Sequence, residues 1–269
     1  MTAIGSQTRN PEPAQIGAPR RPAGGLFERL RRLYRRRLLR PARRVYYLGW
    51  ARYCNVCGSH LRKFLWGGVV VIRQEVRCPV CGSLERHRLA WCFFQRRTAL
   101  FQGHPQRMLH VAPEPEFARR LARAPGLDYV TADLFDPAAM VQMDLMEIPF
   151  PDESFDAIYC SHVLEHVADD RRAMRELFRV LRTGGWAVLQ VPITVAVTFE
   201  DPAITDPAER VKFFGQADHV RAYGPDYEDR LAAAGFQVTK VPGAEFLTPA
   251  EIDRLRIDTT ESIFYCRKD

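Results

Sequence analysis

Two cysteine pairs, Cys54 and Cys57 in CNVCG and Cys78 and Cys81 in CPVCG, stand twenty residues apart. Each CxxCG is a tight turn that aims two thiolates at one point, and two such knuckles joined by a hairpin complete a closed tetrahedral site of four sulfurs. The spacing predicts structural zinc in a ribbon over 50–85, because four thiolates leave no position for a substrate. A ribbon of about 30 residues has almost no core, so the roughly 10 to 16 kcal/mol of zinc binding seen in small zinc peptides becomes folding energy. A redox pair competes as a reading, but two identical knuckles exceed what it needs. The remaining cysteines, Cys92, Cys160 and Cys266, read as buried small hydrophobes.

A second constellation is His162-x-x-Glu165-His166, joined farther on by His219 in QADHVRAYG. On a helical turn, positions i, i+3 and i+4 share one face. His162, Glu165, His166 and His219 are therefore candidate ligands of a second, divalent metal, which would lower the pKa of an acceptor hydroxyl. Without a metal, His162 or His219 is the candidate general base, since imidazole titrates near neutrality. Phe199, Phe213, Phe214 and Tyr223, mixed with Glu200, Asp201, Asp218 and Arg221, suit either a pocket for a hydroxylated small molecule or the packing of a long loop.

These residues need a scaffold, and the pattern from residue 105 supplies one. Short apolar runs alternate with helical stretches, as in a parallel sheet covered by helices. RMLHVAP, LDYVTADL, MVQMDLMEIPF, FDAIYCS, WAVLQVPI, QVTKV and ESIFYCRK read as strands, the second ending at Asp133 and the third at Asp144. PEFARRLARAP, DDRRAMRELFRVLRTGG (closed by its glycines), DYEDRLAAAGF and TPAEIDRLRI read as helices. An irregular segment, 193–224, is long enough to fold over a cleft as a lid. A linking helix over 86–104 carries Arg86, His87 and Arg88 at its start, facing either an anionic ligand or solvent.

The net charge of +7 is unevenly spread: residues 1–50 hold 12 Arg against Glu12 and Glu28, which leaves −3 for residues 51–269. Residues 1–25, rich in Pro, Gly and Ala, read as a disordered tail. Residues 26–48 read as a basic amphipathic helix that stops near Pro41 and suits an anionic membrane surface, a nucleic-acid backbone or the protein's own surface. With no apolar run near the roughly 20 residues of a membrane span, a cytoplasmic chain is expected, with peripheral contact at the inner face of the membrane through residues 26–48.

The phrases MDLMEIPFPDESFDAIYCSHVLEHVADD and MRELFRVLRTGGWAVLQVP, in this order, resemble class I S-adenosylmethionine-dependent methyltransferases of the type 11 group, over residues 105–269. The ribbon, LHVAPE and FGQADHVRAYG together resemble a bacterial subgroup described only as methyltransferases. The resemblance implies an α/β fold: a doubly wound, Rossmann-like, seven-stranded mostly parallel sheet with its last strand antiparallel, preceded here by the small zinc ribbon. It implies a cofactor, S-adenosylmethionine, across the carboxyl ends of the first strands, with Asp133 on the ribose, Leu134 beside it, Asp144, Leu145 and Met146 flanking the adenine, and Ser161 at the fourth strand's end. His162-x-x-Glu165-His166 is similar to the metal-binding E-x-x-E-H of methyltransferases acting on vicinal hydroxyls.

One departure stands out. Where the family reads D-x-G-x-G-x-G after its first strand, this chain has His110, Ala112, Glu114 and Glu116. Three accounts compete: Glu114 or Glu116 pairs with the cofactor's positive charge; Glu116 serves the helix dipole, with Pro115 at the first helical position; or the cofactor site has decayed. The leading expectation is O-methylation of a sugar, glycan or other hydroxylated metabolite. The alternatives are an RNA methyltransferase using the ribbon and basic arm, and a non-catalytic module.

Overall fold

A computed structural model describes residues 39–68 and 72–269. Pro41–Asp269 forms one compact unit. The expected tail, and residues 26–38 of the expected basic helix, lie outside the described residues. Helix α1 spans Arg40–Tyr46. Pro41 thus sits in its first turn, where a missing N–H costs nothing.

The cysteine-bearing segment is built from two antiparallel pairs, β1 (Arg52–Cys54) with β2 (Ser59–Leu61), and β3 (Leu65–Gly67) with β4 (Arg73–Arg77). Helix α2, Glu85–Arg97, follows and ends earlier than the sequence suggests. The remaining elements are β5 (Gln106–Val111), α3 (Pro115–Leu121), β6 (Leu127–Asp133), β7 (Val141–Gln142), β8 (Phe155–Ser161), α4 (Asp170–Val180), β9 (Leu181–Gln190), β10 (Phe199–Glu200), α5 (Pro207–Phe214), β11 (Arg221–Ala222), α6 (Tyr227–Ala233), β12 (Gln237–Pro242), α7 (Pro249–Leu255) and β13 (Ser262–Arg267).

Seven strands form the central sheet in the order β12-β13-β9-β8-β5-β6-β7. β5 pairs in parallel with β6 and β8, whereas β13 is antiparallel to both neighbours. This is the expected doubly wound α/β sheet. Residues of β5 alternate between its faces. Met108 joins a core that includes Phe93 and Phe94 of α2, Phe117 of α3 and the ribbon's Leu61 and Phe64. Leu109 and Val111 join the opposite core, with Met174 and Leu177 of α4 and Leu231 of α6. The ribbon is thereby fused to one face of the sheet.

Two boundaries differ from expectation. β7 stops at Gln142, and Asp144 lies instead in a turn bridged to Glu147. α4 ends at Val180 without a glycine cap, because Leu181 must already pair with Phe155 of β8. Gly184, at φ +79°, falls inside β9 and donates its N–H to Lys268 O at 2.7 Å.

Candidate active site

Strand order reverses between the parallel β5 and β8: from β5 the sheet grows through β6 and β7, and from β8 through β9. Open parallel sheets bind ligands outside the carboxyl ends of strands at such a switch point. The turns that leave β5 and β8 are therefore the ones to inspect.

After β5, Ala112 takes φ +47°, the left-handed backbone that glycine adopts freely, and its N–H bonds Ala132 O of β6 at 2.8 Å. The fold keeps the conformation of a glycine turn without the glycine. His110 is fully buried, with Nδ1 2.7 Å from Tyr129 Oη and Nε2 2.7 Å from Glu114 Oε2. Glu114 also accepts from Tyr159 Oη at 3.5 Å, and His87 Nε2 lies 3.7 Å from its Oε1. Burial alone would raise the Glu114 carboxyl, but the His110 hydrogen bond and imidazole bring it below the usual carboxylate range. Burial pushes His87 down to about 3, so that ring is neutral. An ionised carboxylate therefore stands at the end of β5.

Glu116 goes elsewhere. A Cβ on Gly82 of the second knuckle would stand 2.9 Å from Glu116 Oε1, so this carboxylate lies against the ribbon. It also occupies the first turn of α3, behind Pro115. Asp133 ends β6, and its Oδ1 accepts from the N–H groups of Phe135 (2.7 Å) and Asp136 (2.8 Å), fixing an exposed turn that carries Leu134. Asp144 Oδ1 accepts from Met146 N–H at 2.8 Å, with Leu145 buried beneath.

After β8, Ser161 is buried and His162 sits at φ +55°, its N–H on Gln190 O at 2.8 Å. His162 Nδ1 meets Glu165 Oε1 at 3.1 Å in a 3₁₀ turn over Leu164–His166, where the sequence suggests an α-helical turn. His219 is also buried: its Nδ1 donates to Phe214 O at 3.0 Å, and burial lowers its pKa. Oxygen and nitrogen atoms of Glu165, His166 and His219 converge within 4.8 Å of one another. His162 stands outside that trio; its side chain is part-exposed, as is that of His166, whereas His219 is buried.

The segment 193–224 is anchored rather than loose. Arg221, nearly fully buried, donates to Leu164 O (2.7 Å), Val167 O and Ala168 O (2.9 Å), and pairs with Glu200 at 2.9 Å. Asp170 receives Tyr223 Oη at 2.7 Å and Arg230 at 3.0 Å. Tyr223 and Phe214 are buried, whereas Phe199 and Phe213 are exposed neighbours with rings tilted at 46°, so the four aromatics do not line one pocket. Arg88 likewise faces neither ligand nor solvent: it is fully buried, bonded to Leu255 O and Ser83 O, and lies 4.1 Å over the Phe64 ring.

In the ribbon, Cys54 and Cys81 sulfurs stand 3.6 Å apart and Cys57 and Cys78 sulfurs 3.8 Å. Bonds of about 2.3 Å from a tetrahedral zinc would set sulfurs about 3.8 Å apart. Gly58 and Gly82 close the knuckles by donating N–H to Cys54 O and Cys78 O at 2.7 and 3.0 Å. Cys92, Cys160 and Cys266 are buried, as expected.

Residues 98–189 match the family described as a methyltransferase domain. These residues hold β5 to the penultimate residue of β9, and so both turns of the cleft. A 27-O-demethylrifamycin SV methyltransferase of Amycolatopsis mediterranei is 33% identical over 39% of this chain and 38% of its own length. A ubiquinone/menaquinone biosynthesis C-methyltransferase of Vibrio campbellii is 39% identical over 26% of this chain and 24% of its own. The matches thus span less than two fifths of those relatives. A crystal structure of an S-adenosylmethionine-dependent methyltransferase from Mesorhizobium loti is 17% identical, with a TM-score of 0.46 over 67% of this chain and 98% of that one. Residues 98–189 are thus similar to a methyltransferase domain, within the doubly wound, Rossmann-like sheet. No helix among the described residues is long and apolar enough to cross a membrane.

Proposed function

We propose that the chain is an S-adenosylmethionine-dependent methyltransferase that methylates an oxygen of a small hydroxylated acceptor, a sugar or a comparable metabolite. One observation carries the reading: within the matched domain, three acidic side chains stand at the carboxyl edge beside the switch point, Glu114 after β5, Asp133 at the end of β6 and Asp144 after β7. A sulfonium cofactor bearing an ammonium group suits such an edge; a pyrophosphate would not. Asp133 would take the ribose hydroxyls through the carboxylate oxygen not used by its turn, with Leu134 alongside. Asp144, Leu145 and Met146 would flank the adenine, and Glu114 would face the positive end near Ser161. The left-handed Ala112 supports the fit, because it keeps the backbone path that glycine would give.

When bound, the cofactor supplies an activated methyl group for an in-line displacement, in which the new O–CH3 bond forms as the S–CH3 bond breaks. Alignment then dominates catalysis, and the protein must remove one proton. His162 suits that task. Its Nδ1 is engaged by Glu165, which fixes the ring and leaves Nε2 to accept the acceptor's hydroxyl proton. His219 is a poorer base, being buried with its own proton committed to Phe214 O. The rifamycin relative is named for methylation at an oxygen and the Vibrio relative for methylation at carbon, so the oxygen acceptor rests on His162 as the base.

Zinc is proposed for Cys54, Cys57, Cys78 and Cys81, on the sulfur spacing given above, as a structural ion that welds the ribbon to the sheet. The site assignment is tested by calorimetric titration with S-adenosylhomocysteine. Asp133→Ala should weaken binding about tenfold or more, since charge-assisted hydrogen bonds contribute roughly 1.5 to 3 kcal/mol. Unchanged affinity in Asp133→Ala removes the ribose assignment.

A further inference from the structure

Glu165, His166 and His219 form a cluster with an unusual imbalance of donors and acceptors. Glu165 is 1% exposed and His219 5%, yet neither Glu165 Oε2 nor His219 Nε2 has a hydrogen-bond partner. Buried polar atoms of this kind are normally paired, and leaving one unpaired forfeits its hydration with nothing in return. The tautomers deepen the puzzle. His219 Nδ1 donates to Phe214 O, and His166 Nδ1 to Asp218 O at 3.2 Å. Each ring therefore turns an Nε2 lone pair, not an N–H, away from those carbonyls. The two rings meet edge to face, with centroids 4.6 Å apart, and the carboxylate joins them within the 4.8 Å cluster. The three groups offer acceptors without a donor among them. A cation is what such a set lacks.

From this geometry we infer that Glu165, His166 and His219 bind a divalent transition-metal ion, of zinc or cobalt type, between the 3₁₀ turn and the segment 193–224. Two imidazoles and one carboxylate suit such an ion, and three protein ligands leave at least one position open. The backbone carbonyls behind both histidines fix ring and tautomer, as outer partners of metal-bound imidazoles do. Bonds of about 2.0 to 2.2 Å require ligand atoms about 3.4 Å apart, so the cluster must contract slightly. His166, whose side chain is 33% exposed, is the member free to move. Its surroundings already tie the two segments together: Val220 N–H bonds Glu165 O at 2.9 Å, and Arg221 holds the carbonyls on either side of the turn. His162 is not a ligand in this arrangement. Its Nδ1 bonds the other carboxylate oxygen, Glu165 Oε1, and orients it.

The test counts metal without cofactor or acceptor, so its outcome is separate from that of the methyltransferase reading. Full-length protein is equilibrated with zinc, desalted, and its metal measured by mass spectrometry, with cobalt in a parallel series. Wild type is expected to hold about two equivalents, one in the ribbon and one here. His219→Ala and Glu165→Gln should hold about one, and so should His166→Ala, a half-exposed position whose replacement leaves the fold intact by circular dichroism. One equivalent in wild type, or two retained in a folded His166→Ala, overturns the inference.

Discussion

The knuckles of the ribbon and the turns of the cleft solve the same backbone problem with different residues. Gly58 and Gly82 turn the cysteine loops at φ +67° and +95°, where no side chain is wanted. Ala112 and His162 turn the ends of β5 and β8 at φ +47° and +55°, and both carry side chains. Left-handed backbone costs an L-residue roughly 1 to 2 kcal/mol, and it persists only where its surroundings over-determine it. Here they do: both residues donate their N–H groups into the neighbouring strand, to Ala132 O and Gln190 O. In the ribbon the turn itself is the product. In the cleft the turn presents side chains at the carboxyl ends of the strands, where the proposed site lies.

The sharpest way to break this contrast is to remove the metal proposed for the knuckles. Cys54→Ser should lose about one equivalent of zinc by mass spectrometry and unfold the ribbon; full zinc in that variant contradicts the four-sulfur site. Gly82→Ala should cost about 1 to 2 kcal/mol, since the new Cβ takes left-handed backbone and stands 2.9 Å from Glu116 Oε1. For a domain of this size that is a fall of roughly 2 to 8 °C in calorimetric melting temperature. Ala112→Gly should be much milder, because relief of strain is offset by about 0.5 to 1 kcal/mol of extra chain entropy. A shift under about 2 °C is expected, and a large loss would show that the alanine side chain is itself required.

Acid stability gives the smallest effect. His87, held at about 3 against an ordinary 6.5, binds its proton first in the unfolded chain, so its contribution is lost as pH falls from 6.5 towards 3. Glu261 is raised to about 7, by burial and then by Glu85. Its contribution is present below its ordinary 4.5 and lost as pH rises through 7. Between 4.5 and 6.5 the two oppose each other. Urea melts of Glu261→Gln should therefore lose stability on acidification more steeply than wild type, whereas an unchanged slope would remove Glu261 from the account.

Much of the fold is written locally. The strands from β5 onwards follow runs of apolar residues, and the knuckles follow CxxCG, because both depend on near neighbours. What escaped local reading depends on distant partners. β9 begins at Leu181 because Phe155 waits for it, despite the glycines that suggest a helix end. Arg88 reads as a surface charge, yet it is buried by carbonyls at Ser83, Leu255 and Arg256. The joint Arg221–Glu200–Arg230–Asp170 network is invisible in a segment that reads as a loose lid. In the cleft, spacing alone pointed to His162, Glu165, His166 and His219. Only coordinates separate the converging trio from His162, and Glu114 from Glu116. No spacing rule could announce that His110, in the place of an acidic residue, would be the partner of Glu114.

The central claim is that a carboxylate at the end of β5 meets a cationic cofactor where glycine main chain would otherwise do so. Calorimetric titration of the full-length chain with S-adenosylmethionine, beside its Glu114→Gln variant, tests it directly. A single binding site weakened about tenfold or more by the substitution is the predicted result. No binding to either protein, or equal affinity in both, contradicts it.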